Sequence, residues 1–259
     1  MDIFLLKLVA TPTLILLASL AGRRWGESVS GWLIGLPLTS GPVCFFLAVE
    51  QGTGFAARST LGSLAGAAAE AGFCLAYGIA ARRGRWPVAL AAGSAAFALG
   101  AAILAIAALP RPALVAVIAA ALTTSLSLLP NFASGTAALP APPRWDLPAR
   151  MAVATGLVLG LTELAPYVGP QLSGLFATYP AFAAVLTAFA HARSGPAAAV
   201  RVLRGLMLGL FSFAAFFVVL GLTIEPLAIG TAFAAASAVA LAIQGVSLWA
   251  MRRPRSRRR

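Results

Sequence analysis

Charge is scarce in this chain. Of its 259 residues only 10% are Asp, Glu, Lys or Arg, against about 25% in an ordinary soluble domain. Hydrophobic residues make up 60%, and the mean hydropathy is +0.92. So little polar surface cannot clothe a water-soluble globule, which excludes a soluble enzyme and a disordered chain. Cysteine is nearly absent. Cys44 and Cys74 both fall inside apolar runs, without CxxC or Cys/His spacing, so they are read as small packing residues and not as a disulfide or a metal site. A single histidine, His191 at the end of an apolar run, makes no ligand set. GxSxG, HExxH, a P-loop and a GxGxxG between strand and helix are all missing, and no pair of acids sits at helical spacing. The expectation is a protein that is not an enzyme and holds no metal and no cofactor.

What is present is apolar sequence in long runs, and the fold class that follows is all-α, a polytopic membrane protein. A hydrocarbon core about 30 Å thick needs roughly 20 apolar residues per helix. Nine stretches meet that length, at 2–22, 29–50, 56–81, 87–109, 112–130, 149–166, 170–191, 196–222 and 226–251. Turn and charge signals separate them, among them Arg82-Arg83-Gly84-Arg85, Pro110-Arg111-Pro112 and the Pro-rich stretch Ala138 to Pro148. The first run resembles a signal peptide, but Asp2 and Lys7 precede or interrupt it and Arg23-Arg24 follow it, so a retained helix is expected.

The bases fit nine spans with the N-terminus outside and the C-terminus cytoplasmic. Sixteen of the 19 then fall on the cytoplasmic side, and only Lys7, Arg58 and Arg111 do not. Six of them lie in the tail Arg252 to Arg259, which accounts for much of the net charge of +12. That tail has no interleaved aromatics for stacking bases, so its expected partner is membrane lipid and not nucleic acid.

The chain repeats itself. Ile34-Gly35-Leu36-Pro37-Leu38-Thr39-Ser40-Gly41-Pro42 in span 2 resembles Ser173-Gly174-Leu175-Phe176-Ala177-Thr178-Tyr179-Pro180 in span 7. Gly52 stands six positions before Arg58, as Gly195 does before Arg201, and each Arg opens Arg-x3-Gly-x3-Gly. The reading is an inverted-topology repeat, spans 1–4 and 6–9, joined by a linking helix. Residues 1–110 form the first four-helix unit and 111–148 the linking helix with a Pro-rich cytoplasmic loop. Residues 149–251 form the second, inverted unit and 252–259 the basic cytoplasmic tail.

In such repeats, matching Gly/Pro-interrupted segments point to a site at mid-membrane. Proline frees a carbonyl four residues back, and in lipid that group needs a partner or a polar cavity. Thr39, Ser40 and Pro42 in span 2, with Thr178, Tyr179 and Pro180 in span 7, are therefore candidates for a solute or ion pathway; ordinary proline kinks are the plain alternative. Glu70, midway along span 3, is the most informative single residue. An acid at that depth is a functional hypothesis by default, here a proton carrier, against a carboxyl kept for packing. Its counterpart in the second half falls near Leu210 to Phe213, where there is no acid. Gln244 and Asn131 are weaker polar candidates. Glu50, Glu163 and Glu225 form an outer set, read as interface charge.

Gly62 and Gly66, and Gly205 and Gly209, are spaced for close helix packing. Arg58, Arg201 and Arg204 either snorkel to the interface or contact anions and lipid headgroups.

The run Ser173 to Phe182, followed by Gly195, Arg201 and the glycine-spaced span 8, resembles the GlpM-type family of small bacterial inner-membrane proteins, which are four-helix units. The resemblance implies a bacterial inner-membrane location and two such units fused in opposite orientations. The functional expectation is a secondary transporter or permease of a small solute, proton-coupled through Glu70. The alternatives are a non-transporting scaffold or accessory subunit for envelope biosynthesis, and a lipid-handling protein using Arg58, Arg201 and Arg204. Monomer and homodimer both stay open.

Overall fold

A computed structural model describes residues 36–130, 132 and 145–252, with six isolated positions among the first 16. The expected span 2–22, Lys7, Gly35, Asn131, Arg144 and the tail beyond Arg252 lie outside the described residues. All regular structure among the described residues is helical: α1 (Ser40–Gln51), α2 (Thr53–Ala80), α3 (Trp86–Ala107), α4 (Arg111–Leu128), α5 (Asp146–Val168), α6 (Pro170–Phe176), α7 (Ala181–Ser194), α8 (Pro196–Thr223) and α9 (Ile229–Arg252).

Five of these, α2, α3, α4, α8 and α9, are long and apolar enough to cross a membrane. The nine continuous spans expected from run length are not all found. The apolar run 170–191 divides into α6 and α7, of 7 and 14 residues. The described part of 29–50 holds only the 12-residue α1. At 1.5 Å per residue such pieces reach about 10–20 Å, short of the hydrocarbon core. Run length counts apolar residues and does not register where the backbone turns.

Two stretches of chain follow one plan at a constant offset in numbering. Helix α2 covers 53–80 and α8 covers 196–223; α3 begins at 86 and α9 at 229; α1 ends at 51 and α7 at 194. The same offset carries Pro37 onto Pro180 and Gly52 onto Gly195. The turns match as closely. Leu38 N–H donates to the Leu36 carbonyl (2.7 Å) across Pro37, and Ala181 N–H donates to the Tyr179 carbonyl (2.8 Å) across Pro180. These i to i+2 bonds are inverse γ-turns, and Pro180 at φ −79°, ψ 52° has the matching backbone. Each proline carbonyl then accepts the first helical N–H, Gly41 to Pro37 (2.8 Å) and Ala184 to Pro180 (2.7 Å). Both short helices end on a glycine at positive φ with extended ψ, Gly52 (87°, 163°) and Gly195 (79°, −179°), a conformation open essentially to glycine alone.

The two longest helices, α2 and α8, form the centre and cross antiparallel. Gly221, near the end of α8, faces Thr60, near the start of α2. Farther along, Glu70 of α2 shares a cavity with Leu210 and Phe213 of α8. Helix α4 packs against both. Around them the packing is reciprocal: α3 lies on α2 and α9 on α8, while α3 also reaches α7 and α9 reaches α1. The outer helices bury a single seam each, Ala89, Gly93, Phe97 and Ala101 on α3 and Ala232, Ala236, Ala240 and Gln244 on α9. Their opposite faces expose Leu99, Ile103 and Ile106, or Val239, Leu241 and Val246. A soluble helix shows a polar face there. An apolar outer face over an alanine seam belongs to a helix solvated by lipid.

Glycine sets how closely α2 meets α6. A Cβ built on Gly62 would collide with the Gln171 carbonyl, and one on Gly174 with the Ser59 carbonyl. Reciprocal backbone contacts of this kind leave no room for a side chain. Gly66 abuts the Thr178 side chain in the turn that follows α6.

Candidate functional site

The cavity at the crossing of α2 and α8 has a volume of about 60 Å³. It has room for about two waters or a small ion, at about 30 Å³ for each water. Its walls bring together both γ-turn segments and the mid-helix acid. Leu36, Thr39 and Ser40 come from the first segment, Ala177 to Ala181 and Ala183 from the second, Glu70 from α2, and Leu210 and Phe213 from α8. Of the pathway residues expected from the sequence, Glu70, Thr39, Ser40, Thr178, Tyr179 and Pro180 line this one cavity, and Pro42 does not.

The reason for the difference at Pro42 is local. Thr39 caps α1 and Ser40 is its first residue, so Pro42 stands in the first helical turn, where its missing N–H is an orphan in any helix. Pro37 makes the break. It is the residue that the constant offset between the halves sets against Pro180, whereas local motif matching sets Pro42 there through an extra residue.

Glu70 is 5% exposed, about 26 Å from the start of α2 and about 15 Å from its end at 1.5 Å per residue. No Lys, Arg or His is among the described residues lining the cavity. The groups that share the cavity with its carboxyl are hydroxyls. The Thr178 hydroxyl donates to the Leu175 carbonyl (2.6 Å), which also accepts the Thr178 backbone N–H (3.1 Å) where α6 ends. The Tyr179 hydroxyl pairs with Ser94 on α3 (3.1 Å), and its ring meets Phe97 edge-on at 5.4 Å. A carboxyl in a largely apolar cavity with four hydroxyl side chains and, among the described lining residues, no cation is suited to taking and giving a proton or to meeting a small cation, and not to a standing ion pair.

The other polar candidates lie apart from the cavity. Gln244 is fully buried, and its side-chain oxygen accepts the Ser212 hydroxyl proton (2.6 Å), a bond between α8 and α9. Arg58 is exposed in the second turn of α2, close to Gly54 and to Glu225 at the end of α8. Arg201 is exposed in the second turn of α8, and Arg204 follows it half-buried. Because the helices are antiparallel, Arg58 and Arg201 stand at opposite ends of the bundle. Glu50, Glu163 and Glu225 are exposed. Gly209 is buried, and its carbonyl accepts the Ser212 hydroxyl proton (2.8 Å); Gly205 is half-buried. No group of three or more His, Cys, Asp or Glu among the described residues is placed to hold a metal ion.

One contact was not anticipated from sequence. The Tyr77 hydroxyl lies 3.3 Å from Nδ1 of His191, with both side chains buried. The signal available was the spacing of Tyr77, seven positions beyond Glu70 and so on the same helix face. No family model, curated protein or solved structure matches the chain.

Proposed function

We propose that this chain is a secondary transporter of a small solute, coupled to protons through Glu70, built as an inverted-topology repeat around a mid-membrane site. One observation carries the reading: the paired γ-turn segments, at Pro37 and Pro180, and the mid-helix acid line one cavity where the two longest helices cross antiparallel. Backbone that leaves helical form at membrane depth is tolerated where it faces protein or a polar cavity, and transporters place their sites at such breaks. The cavity's size fits water, a proton carrier or a small ion in this conformation; a larger solute requires the γ-turn segments to part.

The orientation proposed has the N-terminus outside and the C-terminus in the cytoplasm of a bacterial inner membrane. Arg82, Arg83 and Arg85 follow α2 and Arg193 ends α7, so four arginines gather at the end of the bundle where Tyr77 meets His191. Only Arg58 and Arg111, among the described bases, stand at the end marked by Thr60 and Gly221. That bias is what positive-inside insertion produces. The further reading, two GlpM-like units in tandem, rests on the motif of residues 173–182 and the glycine spacing after it.

Cysteine accessibility tests the proposal. Cysteines are introduced one at a time at Thr39 and Thr178 in a Cys44→Ser/Cys74→Ala background, and a membrane-impermeant thiol reagent is applied from each side of sealed vesicles. Labelling at both positions, moving from one side to the other with an imposed pH gradient, is the expected result. A folded protein that labels from neither side refutes transport and leaves the scaffold reading.

A further inference from the structure

From the cavity toward the arginine-rich end, polar residues continue along two helices. On α2, Glu70 is followed by Cys74 and Tyr77, at i+4 and i+7 on one face, and all three are buried. On α7, Ala183 lines the cavity, Thr187 lies one turn on and His191 one turn further. The two stripes meet where the Tyr77 hydroxyl approaches Nδ1 of His191. The Thr187 hydroxyl, fully buried, has no hydrogen-bond partner among the described residues. Beyond His191 the helix surfaces at once, with Ala192 and Arg193 exposed. The titratable group facing His191 from α2 is Tyr77, and Arg193 is the charged residue nearest it on α7 itself.

The molecule contains its own control. The offset that carries Pro37 onto Pro180 also pairs the α2 positions with α8, and the α7 positions with α1, on the way to the opposite end. There Glu70 corresponds to Phe213, Cys74 to Phe217, Tyr77 to Leu220 and His191 to Ala48, all of them apolar and buried. Phe213 and Phe217 meet at 4.8 Å between ring centroids, and Phe216 meets Phe217 edge-on at 5.0 Å. Thr187 corresponds to Cys44, whose thiol lies 3.5 Å from the Ser59 hydroxyl, so the opposite side keeps a thiol and a hydroxyl but has no carboxyl, phenol or imidazole at the matching positions. Packing does not demand polar groups at these sites, and buried polar groups carry a desolvation cost that hydrogen bonding has to offset.

We infer that Tyr77 and His191 form a proton relay that connects Glu70 to the arginine-rich face alone, while Phe213, Phe217 and Leu220 seal it from the other. The inference rests on the proton-coupled reading above. One proton enters at the imidazole and one leaves the phenol inward toward the Glu70 carboxylate. The phenol oxygen is refilled from Nδ1, so a single proton moves in net. The two helical turns between phenol and carboxyl are edged by the Cys74 thiol and the Thr187 hydroxyl.

The test uses the full chain in oriented, sealed vesicles. A hydrophobic carbodiimide, which needs a protonated carboxyl, is pulsed after acidifying one side at a time, and adduct at Glu70 is quantified by peptide mass spectrometry. Acid on the arginine-rich side should label Glu70 promptly and acid on the other side should not. Tyr77→Phe, which keeps the ring, and His191→Gln, which keeps a hydrogen-bonding side chain, should each slow labelling about a hundredfold, the low end of what a positioned proton-transfer group contributes. Phe217→Leu should leave the arginine-side rate unchanged. Wild-type rates in both relay variants, or equal response to acid on the two sides, overturns the relay. Labelling nowhere, with both sides acid, overturns the relay and proton coupling together. A working relay in a protein whose positions 39 and 178 never label leaves the relay standing and removes transport.

Discussion

The contact between Gly66 and Thr178 allows the packing of α2 on the turn after α6 to be tested by repair. A methyl at position 66 would overlap Thr178 atoms Oγ1, Cβ and Cγ2, and no backbone atom is among its nearest neighbours. A methyl at position 62 would instead overlap the Gln171 carbonyl and the Leu175 N, which are backbone. Overpacking a tight site costs about 1–3 kcal/mol. For a chain of this size each kcal/mol moves the melting temperature by about 2–4 °C, so Gly66→Ala and Gly62→Ala should each lower the apparent Tm by about 2–12 °C. The two should then part. Removing the obstructing side chain in Gly66→Ala/Thr178→Gly should recover most of the loss, less about 1 kcal/mol for the added glycine and the missing Leu175 bond. Glycine is also what the sequence carries at the matching position of the first half, Gly35. Gly62→Ala/Gln171→Gly should recover nothing, because the carbonyl remains. The assay is thermal unfolding of purified protein in one detergent, followed by intrinsic fluorescence, with the coupling read from the double-mutant cycle. Strict additivity of Gly66→Ala and Thr178→Gly would refute the packing described, since the two sites would then not touch.

Other consequences can be measured independently. Gly52→Ala and Gly195→Ala should each cost about 1–3 kcal/mol through backbone strain alone, because neither site has an atom within 4 Å of an added Cβ; Gly156→Ala, also open but at ordinary φ within α5, should stabilise by about 0.4–1 kcal/mol in the same melt. Ser212→Ala removes the hydroxyl's bond to the buried Gln244 oxygen and should cost about 0.5–1.5 kcal/mol, read as a lower Tm; an unchanged Tm would mean that this bond carries no stability. Glu70→Gln should keep the Tm within about 2 °C, as neutral amides fit hydroxyl-lined sites, yet lose all pH-dependent movement of thiol labelling at Thr178→Cys; labelling that still follows pH would remove Glu70 as the proton carrier.

Much of this arrangement could be read before any coordinates. Charge scarcity and run length suffice for an all-helical chain with apolar spans, because they depend only on side-chain solvation. The breaks after α6 and before α1 were legible as Gly/Pro interruptions. Which proline made the first break was not. Local motif matching sets Pro42 against Pro180, while the constant offset that relates the helix ends selects Pro37. The division of 170–191 into α6 and α7 was also hidden. Its residues are apolar almost throughout, and the turn at 177–180 is held by backbone bonds that hydropathy does not register. The partnership of Tyr77 with His191 was illegible for another reason. They are far apart in the chain, and only the antiparallel crossing of α2 and α8 carries the start of α8, with α7 before it, to the end of α2.

Two matching halves built on the same turns would, with identical side chains, offer a proton the same route to either end. A carrier of that kind short-circuits any gradient it is meant to use. The chain differs between its halves at the positions that matter for this. Glu70 stands against Phe213, so among the described residues lining the cavity there is one carboxyl and not two like charges competing for one proton. Tyr77 and His191 stand against Leu220 and Ala48, so the phenol–imidazole pair occurs on one side only, as the proposed relay requires. The turns and glycines that set helix ends are meanwhile kept in both halves, Pro37 with Pro180 and Gly52 with Gly195. On the proposed transport reading, equivalent turns would let the halves exchange conformations at similar energy, and unequal linings would make the two states face different sides. On this argument Phe213→Glu in a Glu70→Phe background should move carbodiimide labelling to the new acid but lose its preference for the arginine-rich side, because position 213 is followed on its own helix by Phe217 and Leu220 and not by Cys74 and Tyr77. Retention of the original sidedness would show that direction is set by something other than the Tyr77–His191 route.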